Sequence, residues 1–401
     1  MTTTPLQIVG AGPAGMCLIL ALANRIAQSP SRRANVLFNQ LVMFEAASKA
    51  GGLMGHYQIN ANTNSPDVVE GIHRDSVFHK IREQYLSEPE TTNPLIKLSR
   101  IETLMIQPLA ALLKETLGSR LRLSCPVSRV NLDKNGFHTY DSQGRLLGLS
   151  ENLVFCCGGQ ESLLPILSSY RHKTVMSDDF LLRKKVDDLE LPAGPVVIIG
   201  ASHSAFSCIW RLLNDPLFED FRGREIIMLQ RRQHIKIRCT PEFAAEYRIP
   251  YDDVKDVGKA KGLVYAHAGL RKDAKWLYLN IRDGHEKRVK VKQIQNLENE
   301  LDVIKEAGLI LQATGSKANL PDFQINNEVT SVGQPTKTCE LTREGNQQII
   351  PGLFGYGLGF NIVPEGRAGG EDSFTGGIHG FQSYQQFLSP IVIEKILNRV
   401  N

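Results

Sequence analysis

The sequence has none of the features that mark membrane-spanning, secreted or nucleic-acid-binding proteins. Among its 401 residues no apolar run approaches the length of a membrane span. The formal net charge at pH 7 is only +4, which gives little electrostatic basis for binding a nucleic acid. A strand-like run begins at Leu6, and this leaves no room for a targeting leader. We therefore expect a cytoplasmic protein whose partners are small molecules.

Paired cysteines are also missing. The chain has no C-x-x-C motif and no cysteine spacing typical of zinc ligands. An odd, scattered set of cysteines indicates buried free thiols, so we predict no metal site. The seven cysteines are Cys17, Cys125, Cys156, Cys157, Cys208, Cys239 and Cys339.

The composition that is present is typical of a globular protein, with 42% hydrophobic and 22% charged residues. A chain of this length is expected to form two or three domains. Basic residues are concentrated between Arg222 and Lys292. The small net charge of the whole chain does not explain this local excess, so we expect it to have a separate role.

A glycine-rich turn near the N-terminus predicts a dinucleotide site. Gly10-Ala-Gly-Pro-Ala-Gly15 lies between the apolar run Leu6–Val9 and the helix-like stretch Met16–Ala27. In this setting the first glycine makes the tight turn, the second lets the backbone approach a pyrophosphate, and the third allows close helix–strand packing. The helix N-terminus then offers N–H groups and a positive dipole end to the phosphates.

The next strand ends in the acid that such a site requires. Glu45 directly follows the strand-like run Leu41–Phe44, where a carboxylate can bind ribose hydroxyls. Its separation from Gly15 exceeds the usual spacing of about 20 residues. We attribute the excess to a surface loop at Ser29–Arg33.

A second strand–turn–helix unit begins near residue 196. Val196–Ile199 precedes Gly200-Ala-Ser-His-Ser-Ala205, in which Ser202 stands where the fingerprint has its middle glycine. The following strand ends at Arg231 and Arg232 rather than at an acid. Arginines there can pair with a 2′-phosphate through charge-assisted hydrogen bonds, which indicates NADPH. A solvated basic turn is the alternative interpretation.

These motifs resemble those of flavoproteins with two dinucleotide-binding domains. Such proteins carry GxGPAG at the N-terminus, a Glu ending the second strand and then Gly-Gly, which match Gly10–Gly15, Glu45 and Gly51-Gly52. The resemblance implies FAD at the first turn. It assigns the following residues to FAD: Gly10, Gly12, Pro13, Ala14, Gly15, Glu45, Gly51, Gly52 and Gly357. An aspartate found in many relatives is missing at the last of these positions, where Tyr356 and Gly357 stand.

The same resemblance implies the architecture. Thr314-Gly315 looks like the signature at which the chain crosses back from the NADP domain, and it joins Gly200, Ser202, Ser204, Ala205, Arg231 and Arg232 as predicted NADPH-site residues. We predict an α/β fold of two Rossmann-like dinucleotide-binding domains, with the NADP domain inserted in the FAD domain. The predicted limits are 1–190 and 316–401 for the FAD domain and 191–315 for the NADPH domain.

The choice of chemistry depends on the segment after Gly51-Gly52. Dithiol reduction needs a cysteine pair near the flavin, and no cysteine occurs between that segment and Cys125. Thr63, Asn64 and Pro66 resemble the T-N-x-P stretch of flavin-containing monooxygenases, in which the asparagine lies near the reactive edge of the flavin. By this resemblance Asn64 is the first candidate for catalytic contact and Asn62 the second. An ordinary polar loop is the alternative.

The resemblance therefore implies an NADPH-dependent FAD monooxygenase. Such an enzyme transfers one oxygen from a flavin C4a-hydroperoxide to a nitrogen, sulfur or carbonyl of a small molecule, with molecular oxygen as co-substrate. The histidine that often precedes the NADP unit in these enzymes is absent, since Met176-Ser177 stands there. An NADPH-dependent flavin reductase or dehydrogenase without oxygen insertion, and a non-catalytic FAD-binding sensor, remain as alternatives. Homo-oligomerisation is left open.

Overall fold

The buried apolar runs of the sequence form the strands of several sheets. A computed structural model of the protein describes residues 2–183, 192–363, 369–377 and 379–399. The strands in chain order are β1 (Gln7–Val9), β2 (Val42–Phe44), β3 (Leu121–Arg122), β4 (Arg129–Asp133), β5 (Gly136–Tyr140), β6 (Leu146–Ser150), β7 (Leu153–Phe155), β8 (Gly159–Gln160), β9 (Thr174–Met176), β10 (Val196–Ile199), β11 (Ile226–Gln230), β12 (Val289–Gln293), β13 (Leu309–Gln312), β14 (Lys317–Ala318), β15 (Asp322–Ile325), β16 (Glu328–Val329), β17 (Val332–Pro335), β18 (Glu340–Arg343) and β19 (Ile349–Gly355).

The helices cover the faces of these sheets. In chain order they are α1 (Pro13–Gln28), α2 (Arg32–Gln40), α3 (His79–Ser87), α4 (Leu98–Ile101), α5 (Gln107–Leu117), α6 (Ser177–Leu182), α7 (His203–Asn214), α8 (Pro241–Glu246), α9 (Lys272–Arg282), α10 (Leu301–Glu306), α11 (Phe381–Ser383) and α12 (Ser389–Leu397). Single π-helical segments, Glu102–Ile106 and Tyr384–Leu388, join α4 to α5 and α11 to α12. None of the described helices is long and apolar enough to cross a bilayer.

The first sheet has seven strands in the order β17-β18-β19-β7-β1-β2-β3. Its strands from β19 to β3 are parallel, and β17 and β18 extend it in antiparallel fashion. The strands β1, β2 and β7 are buried along their whole length, as expected for a parallel sheet covered on both faces. Helix α1 is buried from Ala14 to Ala23 and packs against α12.

The second sheet is wholly parallel, with the order β12-β11-β10-β13-β9. The buried faces of α6, α7 and α9 pack on one another beside it. All of its strands lie in sequence between β7 and β19, which belong to the first sheet. The predicted fold class, two Rossmann-like units in an α/β fold, is therefore confirmed.

The domain limits stay a prediction. Positions 190 and 191, where the first limit was placed, both lie outside the described residues. Strand β9 pairs with β13 in the second sheet although it lies N-terminal to that limit. Beyond Gly315 the chain returns to the first unit, because β15 pairs with β4 and β14 with β8.

One local expectation was wrong. The extra length between α1 and β2 is not only a surface loop at Ser29–Arg33, because α2 begins at Arg32. The side chain of Ser31 accepts a hydrogen bond from the N–H of Ala34 at 3.1 Å and caps this helix. A serine three residues after a helix end can thus open a new helix instead of extending a loop.

Candidate functional site

The first glycine turn has a backbone that only glycine can adopt at its first position. Gly10 has φ +105°, and a Cβ there would lie 2.2 Å from the carbonyl oxygen of Cys156. A Cβ on Gly15 would lie 2.0 Å from the carbonyl oxygen of Gly10. Helix α1 starts directly after Gly12 with neither a capping side chain nor an acidic residue in its first turn. Its N–H groups are thus available to an anion, as the site prediction requires.

The Gly-Gly segment folds back onto this turn. The N–H of Gly51 donates to the carbonyl of Ala11 at 2.9 Å. Gly52 has φ +69°, and a Cβ there would meet Gly12 Cα at 3.2 Å and Pro13 Cδ at 3.1 Å. The two glycine segments therefore form one cradle, with no side chain between them.

Glu45 lies at the same edge, at the end of β2. Its carboxylate accepts hydrogen bonds from the N–H of Ala11 at 2.7 Å and from the N–H of Ala47 at 2.9 Å. The acid is thus held against the turn in the position predicted for a ribose-binding residue.

The C-terminal strand ends against the start of α1. Gly357 has φ +113°, and a Cβ there would lie 3.1 Å from the Cβ of Ala14. The buried hydroxyl of Tyr356 donates to the carbonyl of Ala14 at 2.9 Å and contacts the hydroxyl of Ser389 at 2.8 Å. Tyr356 thus takes a packing position where relatives have an aspartate, and it ties β19 and α12 to the first turn.

The second turn repeats this geometry in the second sheet. Gly200 has φ +128°, and a Cβ there would lie 2.2 Å from the carbonyl oxygen of Ala313. Helix α7 begins after Ser202, whose side chain makes no capping hydrogen bond, and Ala205 is fully buried. No acidic residue lies in the first turn of α7, so this N-terminus also suits a phosphate.

The remaining predicted NADPH residues lie at the same carboxyl edge. Arg231 and Arg232 follow β11, are exposed, and form no ion pair with the residues that the structure describes. Thr314 and Gly315 follow β13, where Gln312 donates to the Thr314 hydroxyl at 3.0 Å. The structure brings both groups to one end of the sheet. Their assignment to the NADPH site stays a prediction.

The two candidate asparagines line a cavity of about 560 Å³. Asn64 is engaged on both sides of its amide, since it donates to Asp67 at 3.1 Å and accepts a short hydrogen bond from Lys272. Asn62 is exposed and makes no side-chain hydrogen bond within the described part of the chain. Of the two, Asn62 therefore has the amide that is available to a ligand.

A smaller cavity of about 30 Å³ connects this region with the second turn. It is lined by Asn62, His203 and Arg271 among others. The ring of His203 accepts the N–H of Arg271 at 3.1 Å. Burial, with the nearby charge of Arg271, lowers the pKa of His203 to about 4, so the ring is neutral at pH 7 and can accept this bond.

Several site residues carry no sequence motif. Arg238, Arg271, Lys272 and Lys275 line the larger cavity, and the only sequence signal for them was the basic excess between positions 222 and 292. Glu102, in the π-helical segment, packs against Gly55, and one of its carboxylate oxygens is buried without a hydrogen-bond partner among the described groups. Burial raises the pKa of this carboxyl. π-Helical turns are frequent at functional sites.

No protein-family model matches the sequence. A CMP-5′-(3-aminopropyl)phosphonate hydroxylase from Streptomyces rubellomurinus is 26% identical over 221 residues, which cover 51% of this chain and 50% of the relative. The chain thus matches about half the length of this curated relative.

Solved structures match over the whole chain. The ornithine hydroxylase from Pseudomonas aeruginosa superposes with a TM-score of 0.60 at 10% identity, covering 100% of both chains. The FAD-bound cadaverine monooxygenase of the desferrioxamine pathway from Erwinia amylovora gives a TM-score of 0.58 at 15% identity, covering 100% of this chain and 95% of that one. The resemblance first read from the glycine turns is therefore confirmed at the level of the fold, and the chain has the fold of flavin-dependent monooxygenases.

Proposed function

We propose that this protein is an FAD- and NADPH-dependent monooxygenase that inserts one oxygen atom into the primary amine of a small molecule. The observation that carries the proposal is the cavity of about 560 Å³, in which Asn62 and Asn64 of the first unit face Arg271 and Lys272 of the second. Such a cleft between two dinucleotide-binding units is where a substrate can meet both cofactors.

The cofactor assignment follows from the two cradles. FAD fits the first, because Gly10, Gly12 and Gly52 leave the start of α1 clear and Glu45 stands at its edge. NADPH fits the second, where Arg231 and Arg232 offer two cations that form no ion pair among the residues described by the structure. Reduced FAD supplies the activation of molecular oxygen, while the protein binds, orients and excludes water.

The choice of nitrogen rests on the relatives. Ornithine, cadaverine and the 3-aminopropyl group named for the curated relative each contain a terminal primary amine. The overall reaction is R–NH₂ + O₂ + NADPH + H⁺ → R–NHOH + NADP⁺ + H₂O. The free amide of Asn62 is placed to hold the amine by a hydrogen bond while its nitrogen lone pair remains available.

A combined spectroscopic and product assay tests this function. The purified protein should show a flavin spectrum, be reduced by NADPH without air, and form a hydroxylamine when mixed with oxygen and a primary amine. With ¹⁸O₂ the heavy atom should enter the hydroxylamine. The variant Asn62→Ala should keep NADPH oxidation but yield less hydroxylamine per NADPH, whereas Asn135→Ala, an exposed control outside the cavity, should match the wild type.

The outcomes separate the alternatives. Failure to bind FAD would overturn the cofactor assignment. NADPH oxidation without hydroxylamine from any amine tested would favour a reductase. Bound FAD that NADPH does not reduce would favour a sensor.

A further inference from the structure

The larger cavity carries more positive charge than its own carboxylates can balance. Its lining includes five basic side chains against two carboxylates, which leaves three surplus positive charges. The basic residues are Arg238, Lys261, Arg271, Lys272 and Lys275, and the carboxylates are Asp67 and Asp273. The basic excess noted in the sequence is therefore partly gathered at one cavity instead of being spread over the surface.

Neither arginine side chain forms an ion pair with another described residue. The Nε of Arg271 is buried without a hydrogen-bond partner among the described residues, and its amino group donates to the carbonyl of Ala266 at 2.9 Å. Burial, together with the neighbouring charge of Arg238, lowers the pKa of Arg271 to about 9. Burial likewise lowers the pKa of Arg238. Crowding of buried like charges is unfavourable unless an anion is bound beside them.

Among the described residues, the carboxylates whose charges act on the two arginines are Glu371 and, for Arg238, also Asp67. Glu371 is the buried carboxylate whose charge acts on both arginines. Its oxygens accept the N–H groups of His267 at 3.0 Å and Ala268 at 2.8 Å, so its position is fixed by the backbone. Asp273 is likewise held by Asn60 at 2.8 Å. With Glu371 counted beside the two lining carboxylates, the five lining cations still exceed these described carboxylates by two positive charges, which a ligand can balance.

An aromatic wall borders the same cations. Phe243 and Trp276 line the cavity, and their ring centroids lie 5.9 Å apart. Trp276 is 48% exposed, which is unusual for so large an apolar side chain. The ammonium of Lys275 lies 4.3 Å from the Phe243 ring and 4.9 Å from the Trp276 ring. The ammonium of Lys275 can pair with an anionic group of a ligand, and the exposed face of Trp276 can pack against a planar ring of the same ligand.

We propose that the amine substrate carries a phosphate or phosphonate group, bound by Arg238, Arg271 and Lys275, and a planar ring that packs on Trp276. This inference rests on the proposed function and names its substrate class. A phosphate or phosphonate brings up to two negative charges and accepts the forked hydrogen bonds of arginine. An amino-acid zwitterion has one carboxylate and leaves more of the surplus unbalanced.

The cofactor is the other source of phosphate, and its predicted anchor lies elsewhere. Arg231 and Arg232 follow β11 and do not line this cavity. A volume of about 560 Å³ is within the range of sites for drug-sized ligands of about 300–1,000 Å³. It therefore has room for a substrate larger than a simple diamine.

Matched amines test the charge preference. The probes are 3-aminopropylphosphonate, 4-aminobutanoate and 1-aminobutane, which differ mainly in the charge at the end opposite the amine. We expect kcat/KM to be at least about tenfold higher for the phosphonate than for the carboxylate. Lys275→Gln and Arg238→Gln should each lower the ratio of kcat/KM for the phosphonate to kcat/KM for 1-aminobutane about 10- to 100-fold.

A matched control and a binding readout separate the two phosphate sources. Lys290→Gln removes a cation on β12, outside the cavity, and should behave as wild type. Cytidine monophosphate should quench tryptophan fluorescence of the FAD-loaded protein, and Trp276→Leu should abolish the quenching. The Kd of NADP⁺ should stay unchanged in Lys275→Gln and Arg238→Gln.

Each contrary result has a distinct meaning. Equal kcat/KM for the phosphonate and 1-aminobutane would overturn the substrate class while leaving amine oxygenation intact. Equal weakening of NADP⁺ and phosphonate in the variants would assign the cations to the cofactor and overturn the inference. Absence of hydroxylamine from every amine, with intact quenching by cytidine monophosphate, would count against the proposed function and support the anion site.

Discussion

The glycines of the first turn allow folding and FAD binding to be perturbed separately. At Gly12 the backbone is extended, with φ −77° and ψ −172°, which alanine adopts without strain. Its added Cβ would have Gly52 Cα as nearest neighbour at 3.7 Å, an ordinary contact. Gly12→Ala should therefore leave the flavin-free protein as stable as the wild type, or more stable by about 0.4–1 kcal/mol.

The same methyl group should interfere with FAD. The middle glycine is where the backbone approaches the pyrophosphate, so an added carbon there acts as overpacking and costs about 1–3 kcal/mol of binding free energy. That range corresponds to about a 5- to 150-fold loss of affinity. The measurement is titration of the flavin-free variant with FAD, together with its thermal unfolding.

Gly10→Ala provides the contrast. Its φ of +105° strains alanine, and its Cβ would lie 2.2 Å from the carbonyl oxygen of Cys156. Left-handed strain of about 1–3 kcal/mol and a collision of similar size should destabilise the fold itself by about 2–6 kcal/mol. Wild-type FAD affinity in Gly12→Ala would refute the placement of the pyrophosphate, and wild-type stability in Gly10→Ala would refute the geometry of the turn.

Three further predictions concern the second unit and the C-terminal strand. The double variant Arg231→Ala/Arg232→Ala should weaken NADPH about 10- to 100-fold and NADH little, and equal losses would place the 2′-phosphate elsewhere. The folded-state pKa of His203, about 4, lies below the ordinary 6.5. The neutral ring therefore contributes fully to the free energy of unfolding above pH 6.5, and this contribution is lost as the pH falls through 4. The loss is at most about 3 kcal/mol, and urea unfolding against pH should show a flatter profile for His203→Gln. Tyr356→Phe leaves two buried oxygens with one partner fewer and should cost about 1–3 kcal/mol of unfolding free energy, whereas unchanged stability would contradict that packing role.

The fold was predictable because its signals are local. Each unit is indicated by a buried strand, a glycine that must adopt positive φ, and a helix without an acid at its start, as at Gly10 and Gly200. The strand, the positive φ and the helix start can be read from a short segment, although the carbonyl groups that exclude a larger residue at Gly10 and Gly200 belong to the distant Cys156 and Ala313. The α2 helix at Arg32 was missed because a serine–proline cluster is compatible with either a loop or a helix start.

The substrate cavity was not predictable in the same way. Asn62 and Asn64 were proposed from a resemblance, but the amide of Asn64 is engaged by Lys272, more than 200 positions away in sequence. The aspartate missing near Tyr356 looked like a weakness of the cofactor site. The structure shows that its replacement packs against the carbonyl of Ala14 and holds the first turn in place.

The amino-acid sequence by itself determined the two units of strand, glycine turn and helix, because strand burial, glycine backbone freedom and helix-start chemistry are properties of short segments. Only the tertiary structure decided which cations act together. Arg238, Arg271 and Lys275 lie on different parts of the chain, and nothing in their spacing indicates a shared cavity. Electrostatic energy depends on distance in space and on burial, so three scattered basic residues act together only after folding has brought them to one cavity.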